Sequence, residues 1–337
     1  MPYLEALKKE ASSYRDCSVS TVYIGGGTPT YLTVEQIRYL FSIIRSNFIL
    51  EEGAEFTIEA NPATFDLDKA TLLHELGANR ASLGVQSLSD KNLKWLGRPH
   101  TAQDACLAFD ILRNAGFNNI NCDLIHSLPG QSKEEIRDDL ERLVSLGSEH
   151  ISLYSLSITE GSALYERNIR PICEREEAGY YLFVAGLLIK KGFLHYEVSN
   201  FARQGFSCRH NLNYWQGGDY IGLGVGAHSH LDNCRSWNEP GLESYLAMIK
   251  EKGSAKSGQE RLLADARLCE TFLIGLRMAG GVDLKELESR FGIEFPPDKR
   301  EVLEGLIQHG LLAKEKDLIK ATPSGMVVLD EICSRLI

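Results

Sequence analysis

Polar and glycine residues recur just after short β-rich runs, at positions that would gather them along one rim of a parallel sheet. The run Thr21–Ile24 is followed by Gly25-Gly26-Gly27-Thr28-Pro29, and Phe56–Glu59 ends on Glu59 before Ala60-Asn61-Pro62. Arg80–Val85 is followed by Gln86-Ser87, while Asn119–Ile125 carries Asp123 inside a stretch that should be buried. Ligands of parallel α/β folds bind at the carboxyl ends of the strands. Consecutive glycines let a backbone approach a ligand closely and turn with positive φ. Glu59 offers a carboxylate to a cationic or hydroxylated ligand, Gln86 and Arg98 can hold a carboxylate, and Asp123 suits a ribose hydroxyl or an amine. A tight turn before Pro29, a surface ion pair at Arg98 and a cap at Asp123 are the structural alternatives. Ser157, ending the run His150–Ser157, is a weaker member of the set.

The β-rich runs are spaced by roughly 25 to 40 residues, the repeat length of βα units. Between them, Thr101 with Asp104 and Ser132 with Glu135 stand at capping-box spacing, and Gly116 and Gly147 follow the last periodic apolar residues as stops. The expectation is an α/β fold, a partial parallel (βα) barrel over 1–177. Residues 178–260 read as an extension that opens on a helix and continues through an aromatic and glycine-rich stretch, Tyr196–His230. Residues 261–337 read as a mainly helical, winged-helix-like module: helices near Ala264–Met278, Leu284–Phe291 and Lys299–His309, a β segment near Leu311–Lys320 and a last helix from Ser324. Gly222, Gly224 and Gly226 lack the βαβ context of a dinucleotide site and read as close packing beside His228 and His230. Leu4, Leu7, Ala11 and Tyr14 form an apolar helical stripe ahead of the first strand. A βα barrel opens on a strand, so the expectation is that a strand and its following loop are missing from the N-terminus.

Composition removes several classes of function. The 337 residues carry 36 Lys and Arg against 46 Asp and Glu, a net charge of -10, with no basic block that could track a phosphate backbone. Residues 262–337 alone hold 10 Lys and Arg against 13 Asp and Glu, which disfavours DNA binding by that module. The longest uncharged apolar stretch, Ala178–Ile189, falls short of the roughly 20 residues a bilayer span needs. Nor does the start read as a secretory signal, so a soluble cytoplasmic protein is expected. Among 8 cysteines the nearest pair, Cys106 and Cys122, is 16 apart, so no local loop supplies a metal or cluster set. Most read as buried small hydrophobes; Cys208, beside Arg209 and His210, is held open.

Taken in order, Tyr23-Ile24-Gly25-Gly26-Gly27-Thr28-Pro29-Thr30, Glu59-Ala60-Asn61-Pro62, Gly84-Val85-Gln86-Ser87, Leu96-Gly97-Arg98-Pro99-His100 and Asp123-Leu124-Ile125 resemble the radical S-adenosylmethionine family of oxygen-independent coproporphyrinogen III oxidases and their relatives. His210-Asn211-Leu212-Asn213-Tyr214-Trp215, preceded by Tyr196-Glu197-Val198-Ser199-Asn200-Phe201-Ala202, resembles its heme-chaperone branch. The resemblance spans nearly the whole chain. It implies that Gly26, Gly27 and Thr28 contact S-adenosylmethionine, with Glu59, Gln86, Arg98, Asp123 and Ser157 completing the site. It also makes His210 a candidate axial heme ligand, with Tyr214 and Trp215 as flat apolar surface for a porphyrin and Cys208 as a remoter partner. A His-Asn turn cap under two packed aromatics is the structural alternative.

The family's C-x-x-x-C-x-x-C motif, which holds a 4Fe-4S cluster on the loop after the first strand, is absent, and this gap coincides with the missing strand. No catalytic or metal-ligating residue is therefore assigned. As it stands, the chain is not expected to cleave S-adenosylmethionine by the family's route. The resemblance implies a heme chaperone that passes heme to an acceptor protein. A coproporphyrinogen III dehydrogenase and a cluster-less inactive homologue are the alternatives.

Overall fold

The computed structural model describes residues 1–336. Helix α1 (Pro2–Ala11) leads to β1 (Cys17–Ile24), after which the chain alternates through α2 (Val34–Asn47), β2 (Phe48–Ala60), α3 (Leu67–Glu75), β3 (Arg80–Gln86), α4 (Asp90–Trp95), α5 (Ala102–Asn114), β4 (Ile120–His126), α6 (Lys133–Leu146) and β5 (His150–Ser155). Helices α7 (Ala163–Glu166) and α8 (Glu174–Lys190) precede β6 (Leu194–Glu197) and β7 (Asn200–Ala202). These seven strands form one sheet in the order β1-β2-β3-β4-β5-β7-β6, so β1 lies at an edge. Pairing from β2 to β5 is parallel, and β7 and β6 are added antiparallel.

The expected capping boxes form at Thr101/Asp104 and Ser132/Glu135, and Gly147 closes α6 in the left-handed conformation. Strand ends differ from the sequence reading. β1 and β2 begin at Cys17 and Phe48, earlier than the expected Thr21 and Phe56. Glu51, Glu52 and Gly53 are poor strand formers, but all three are exposed, and exposure relaxes that preference. β5 stops at Ser155, short of the expected Ser157, and the Leu156 amide makes the ladder's last bond, to the His126 carbonyl.

The rest of the chain comprises α9 (Arg209–Trp215), β8 (His228–Leu231), β9 (Cys234–Asn238), α10 (Leu242–Lys252), β10 (Lys256–Arg261), α11 (Ala264–Gly275), β11 (Val282–Asp283), α12 (Leu284–Phe291), α13 (Pro297–Gln308), β12 (Leu312–Glu315), β13 (Leu318–Ala321), α14 (Pro323–Val327) and α15 (Leu329–Leu336). Strands β10-β9-β8 and β11-β13-β12 make two small sheets. The helix expected to reach Met278 ends at Gly275, and the last expected helix divides at Val328.

By contact the chain falls into two compact units. Unit 1 gathers Met1–Val22, Thr33–Ala54 and the chain from Cys208 onward; unit 2 is Tyr23–Leu32 and Glu55–Ser207. The sequence boundaries at 177/178 and 260/261 fall inside these units.

In unit 1, the apolar stripe of α1 is buried. Leu4 and Ala11 pack with Ile43, while Ala6 packs with Tyr245, Ile249 and Ala255. Glu10, on the same helix, is buried too, and accepts from the Gly224 amide at 2.9 Å, Asn238 Nδ2 at 2.5 Å and the Tyr245 hydroxyl at 2.7 Å. Of the Gly222-x-Gly224-x-Gly226 run, Gly222 is close packing, as a Cβ there would meet the His228 carbonyl at 2.0 Å, whereas a Cβ at Gly226 would come no nearer than 3.7 Å to Pro240.

In unit 2, strand alternation sorts the sheet into two chemically distinct faces. Ala81, Leu83 and Val85 of β3, Ile120, Cys122 and Leu124 of β4, and Ile151 and Leu153 of β5 are buried, and α5 packs on β3 and β4. The alternate positions are polar. Registers pair Thr57 with Arg80, Glu59 with Ser82, Ser82 with Asn121, Asn121 with His150, and Asp123 with Ser152.

β4 ends on His126, which is buried with Nδ1 2.7 Å from Ser127 Oγ. Burial pushes His126 down to about 4, so it is neutral in the folded chain where an unfolded histidine takes a proton. The folded pKa is depressed, so this group's contribution is complete above pH 6.5 and is lost as pH falls toward 4. Urea titrations of wild type and His126→Asn should therefore show the wild-type stability, relative to the variant, falling by up to about 1.4 kcal/mol per pH unit across that window. A difference that is flat with pH would refute the assignment.

Candidate functional site

The carboxyl ends of the parallel strands enclose a cavity of about 340 Å3 in unit 2. Tyr23, Glu59, Gln86, Asp123 and Ser157 face it, together with Ile125, Tyr154, Ser155 and Leu156. Glu59 is the best-anchored group. Its Oε1 accepts from the Tyr23 hydroxyl at 3.0 Å and its Oε2 from the Gly26 amide at 3.1 Å. Gly26 has φ +82°, a conformation that favours glycine. Gly25 serves differently: a Cβ there would lie 2.6 Å from the Glu59 carboxyl and 2.7 Å from the Tyr23 ring. Burial pushes the Glu59 carboxyl up, the Tyr23 hydrogen bond opposes this, and the charge of Asp123 adds to it.

The loop after β1 is tied down by Asn61, whose Nδ2 donates to Thr28 Oγ1 at 2.8 Å. Asn61 occupies the space a Cβ on Gly84 would fill, 2.5 Å from its Oδ1. Gln86 leaves β3 with φ +66°, an unusual conformation for a side-chain-bearing residue. Three anchors hold it there. His100 Nε2 reaches the Val85 carbonyl at 3.1 Å, Ser87 Oγ donates to Asp139 Oδ2 at 2.6 Å, and the Leu88 amide donates to Asp139 Oδ1 at 3.0 Å. Arg98 does not line the cavity. It is half-buried, and its guanidinium is pulled down by burial while the charge of Asp123 acts in the opposite direction.

Asp123 forms part of the cavity wall with Oδ1 2.8 Å from Asn121 Nδ2 and Oδ2 3.3 Å from Ser82 Oγ. Burial raises its pKa, opposed first by the Asn121 hydrogen bond. The cavity thus presents two carboxylates, an amide and hydroxyls around a polar space, a donor and acceptor set for a ligand carrying an amine, a carboxylate and vicinal hydroxyls. Sequence reasoning quoted Tyr23 without a role and missed Tyr154, Ser155 and Leu156. The signal for Tyr23 was its position two residues before Gly25 at a strand end.

The second candidate set lies in unit 1. Cys208 is buried ahead of α9. His210 has both ring nitrogens engaged, Nδ1 at 2.8 Å from Thr21 Oγ1 and Nε2 at 3.0 Å from the Tyr214 hydroxyl. The Tyr214 ring stands edge-on to His210 and to Tyr220, with centroids 4.9 and 4.7 Å apart. Arg277 lies over the Trp215 ring at 4.9 Å, and the indole Nε1 is buried without a hydrogen-bond partner among the described residues. Thr21, the hydroxyl at Nδ1, carried no sequence signal.

No group of three or more His, Cys, Asp or Glu side chains converges as a metal site among the described residues, so these residues do not fit an iron-sulfur cluster. The fold and its strand-end cavity define a radical S-adenosylmethionine protein: residues 2–143 match the Radical SAM superfamily and residues 262–328 the HemN C-terminal domain. The solved structure of coproporphyrinogen III oxidase (HemN) from Escherichia coli, described as a radical SAM enzyme, superposes with a TM-score of 0.88 at 25% identity, covering 99% of this chain and 82% of that one. The heme chaperone HemW of Lactococcus lactis is 35% identical over 96% of this chain and 86% of its own length, and that of Bacillus subtilis 32% identical over 98% and 89%. The chain belongs to the HemW family of radical SAM proteins.

Gly25→Ala should dislodge Glu59 from Tyr23 and Gly26 and destabilise the chain by about 1–2 kcal/mol in urea titrations. Gly27→Ala, whose Cβ would meet nothing within 4 Å, should stay within about 0.5 kcal/mol of wild type. Equal midpoints for the two variants would mean that Glu59 does not depend on the gap at Gly25.

Proposed function

We propose that the chain is a heme chaperone that binds S-adenosylmethionine in the cavity of unit 2, takes heme at α9 and passes it to an acceptor protein. What supports the reading is the relation to proteins named heme chaperones over almost the full chain, combined with the donor set at the cavity. Glu59 and Asp123 suit the ammonium and the ribose hydroxyls, Gln86 and Arg98 the carboxylate, and Gly26, Gly27, Thr28 and Ser157 the remaining rim. S-adenosylmethionine, when bound, supplies a sulfonium whose carbon–sulfur bonds are primed for cleavage. The residues' own part is to fix its charged ends and to exclude water from between them. No helix of the described residues is long and apolar enough to cross a membrane, and a cytoplasmic location belongs to the same reading.

At α9, Thr21 Oγ1 would keep Nδ1 of His210 hydrogen-bonded while Nε2 leaves the Tyr214 hydroxyl for iron, which orients the imidazole as outer partners of metal-bound histidines do. The flat rings of Tyr214 and Trp215 supply apolar area beside it. A coproporphyrinogen III dehydrogenase is the second reading, favoured by the fold match to HemN.

Titration of heme into the full chain should give a Soret band whose position changes in His210→Ala. Tyr214→Ala and Trp215→Ala should each weaken binding by about 1–3 kcal/mol with unchanged far-ultraviolet circular dichroism. Superimposable titrations for wild type and His210→Ala would remove the ligand and turn preference toward the dehydrogenase.

A further inference from the structure

Beneath the cavity, the polar face of the sheet continues as a connected row. Asn121 Nδ2 donates to Asp123 Oδ1 and to Ser82 Oγ, both at 2.8 Å, so its Oδ1 must be an acceptor. That oxygen receives Ser152 Oγ at 3.0 Å and His150 Nδ1 at 2.6 Å. His150 is 0% exposed, and burial holds it neutral. A neutral imidazole that donates from Nδ1 has only a lone pair left at Nε2, and there the Tyr196 hydroxyl lies at 2.7 Å. The tautomer and the amide orientation are thereby determined together. Each donor points the same way, from Tyr196 through His150 and Asn121 to the carboxylate.

We propose that Tyr196, His150 and Asn121 are positioning residues, a one-way chain of donors that keeps Asp123 ionised and aimed into the cavity. The role of Asp123 toward S-adenosylmethionine rests on the function proposed above; the chain of donors itself does not. Hydrogen bonds that favour the charged form work against burial, which favours the neutral one. Other charged and titratable groups also act on Asp123. Glu59 from β2 disfavours its charge, and Arg80 from β3 and Arg98 after α4 favour it; Tyr23 from β1 and Tyr154 from β5 face it as neutral phenols, their own ionisation pushed up by the Asp123 charge. Arg80 is 2% exposed, so its charge is poorly screened. None of these groups belongs to the chain of donors, so wild type and the donor variants carry the same set of them.

The test follows the Asp123 carboxyl by infrared spectroscopy of the full chain, isolated as the difference between wild type and Asp123→Asn, across pH and without ligand. His150→Phe should raise the Asp123 midpoint by about one pH unit, and Tyr196→Phe should raise it by less. His150→Asn, which places an amide donor near the lost Nδ1–H, should restore it. Midpoints equal to wild type in both His150→Phe and Tyr196→Phe overturn the proposal, as does failure of His150→Asn to differ from His150→Phe. Calorimetric titration of S-adenosylmethionine over the same pH range is read separately. An affinity whose pH dependence moves with the Asp123 midpoint joins the two readings. A shifted midpoint with no binding at any pH retains the donor chain and discards the cofactor assignment.

Discussion

A buried parallel strand has two covered faces, and in β2 to β5 those faces are chemically opposite. One is aliphatic and covered by helices; the other carries Glu59, Arg80, Ser82, Asn121, Asp123, His150 and Ser152. A slip of one residue in any of these strands would move carboxylates and an imidazole under the helices and leave Leu83 or Ile151 among charges. The register of the sheet and the chemistry of the site are thus one requirement. Polar side chains on the inner face are accommodated because each meets another across the register, and the remaining capacity at the strand ends faces the cavity.

The same rule operates in unit 1 around Glu10. A carboxylate on the buried side of α1 is tolerated in the interior because a backbone amide, an amide side chain and a phenol all reach it. The glycine at 224 belongs to this arrangement. A Cβ there would lie 2.4 Å from the Tyr3 hydroxyl, so the small residue lets α1 approach the loop whose amide it needs.

Much of the framework was legible in the sequence. β-rich runs at βα spacing, capping boxes and turn glycines located the helices and the parallel strands, and residues at strand ends picked out Glu59, Gln86, Asp123 and Ser157, all of which line the cavity. Arg98 was read into the same group from its Leu96-Gly97-Arg98-Pro99-His100 context, and is half-buried outside that lining. His150 and Asn121 were passed over because a histidine or an asparagine at the start of a strand looks like a boundary. The missed signal was periodic: Asn121 and Asp123, then His150 and Ser152, are polar at every second position of strands expected to be buried. At β2 the charged, exposed first half hid the part of the strand before Phe56. Thr21, a small hydroxyl in a β-branched run, is indistinguishable from a strand former until the fold brings His210 to it.

Unit 1 is assembled from three stretches of chain, with nearly all of unit 2 made between the second and the third. The partners of Glu10 lie 214, 228 and 235 residues downstream of it. A ribosome adding about 5–20 residues per second needs roughly 10 to 45 s to cover that distance. During this interval α1 waits with its apolar side only partly covered and its carboxylate still in water. The second unit, nearly continuous in sequence, has no such delay. Birth of the molecule is therefore staggered, and α1 is among the last elements to reach its final surroundings, which makes it the part most dependent on protection during synthesis.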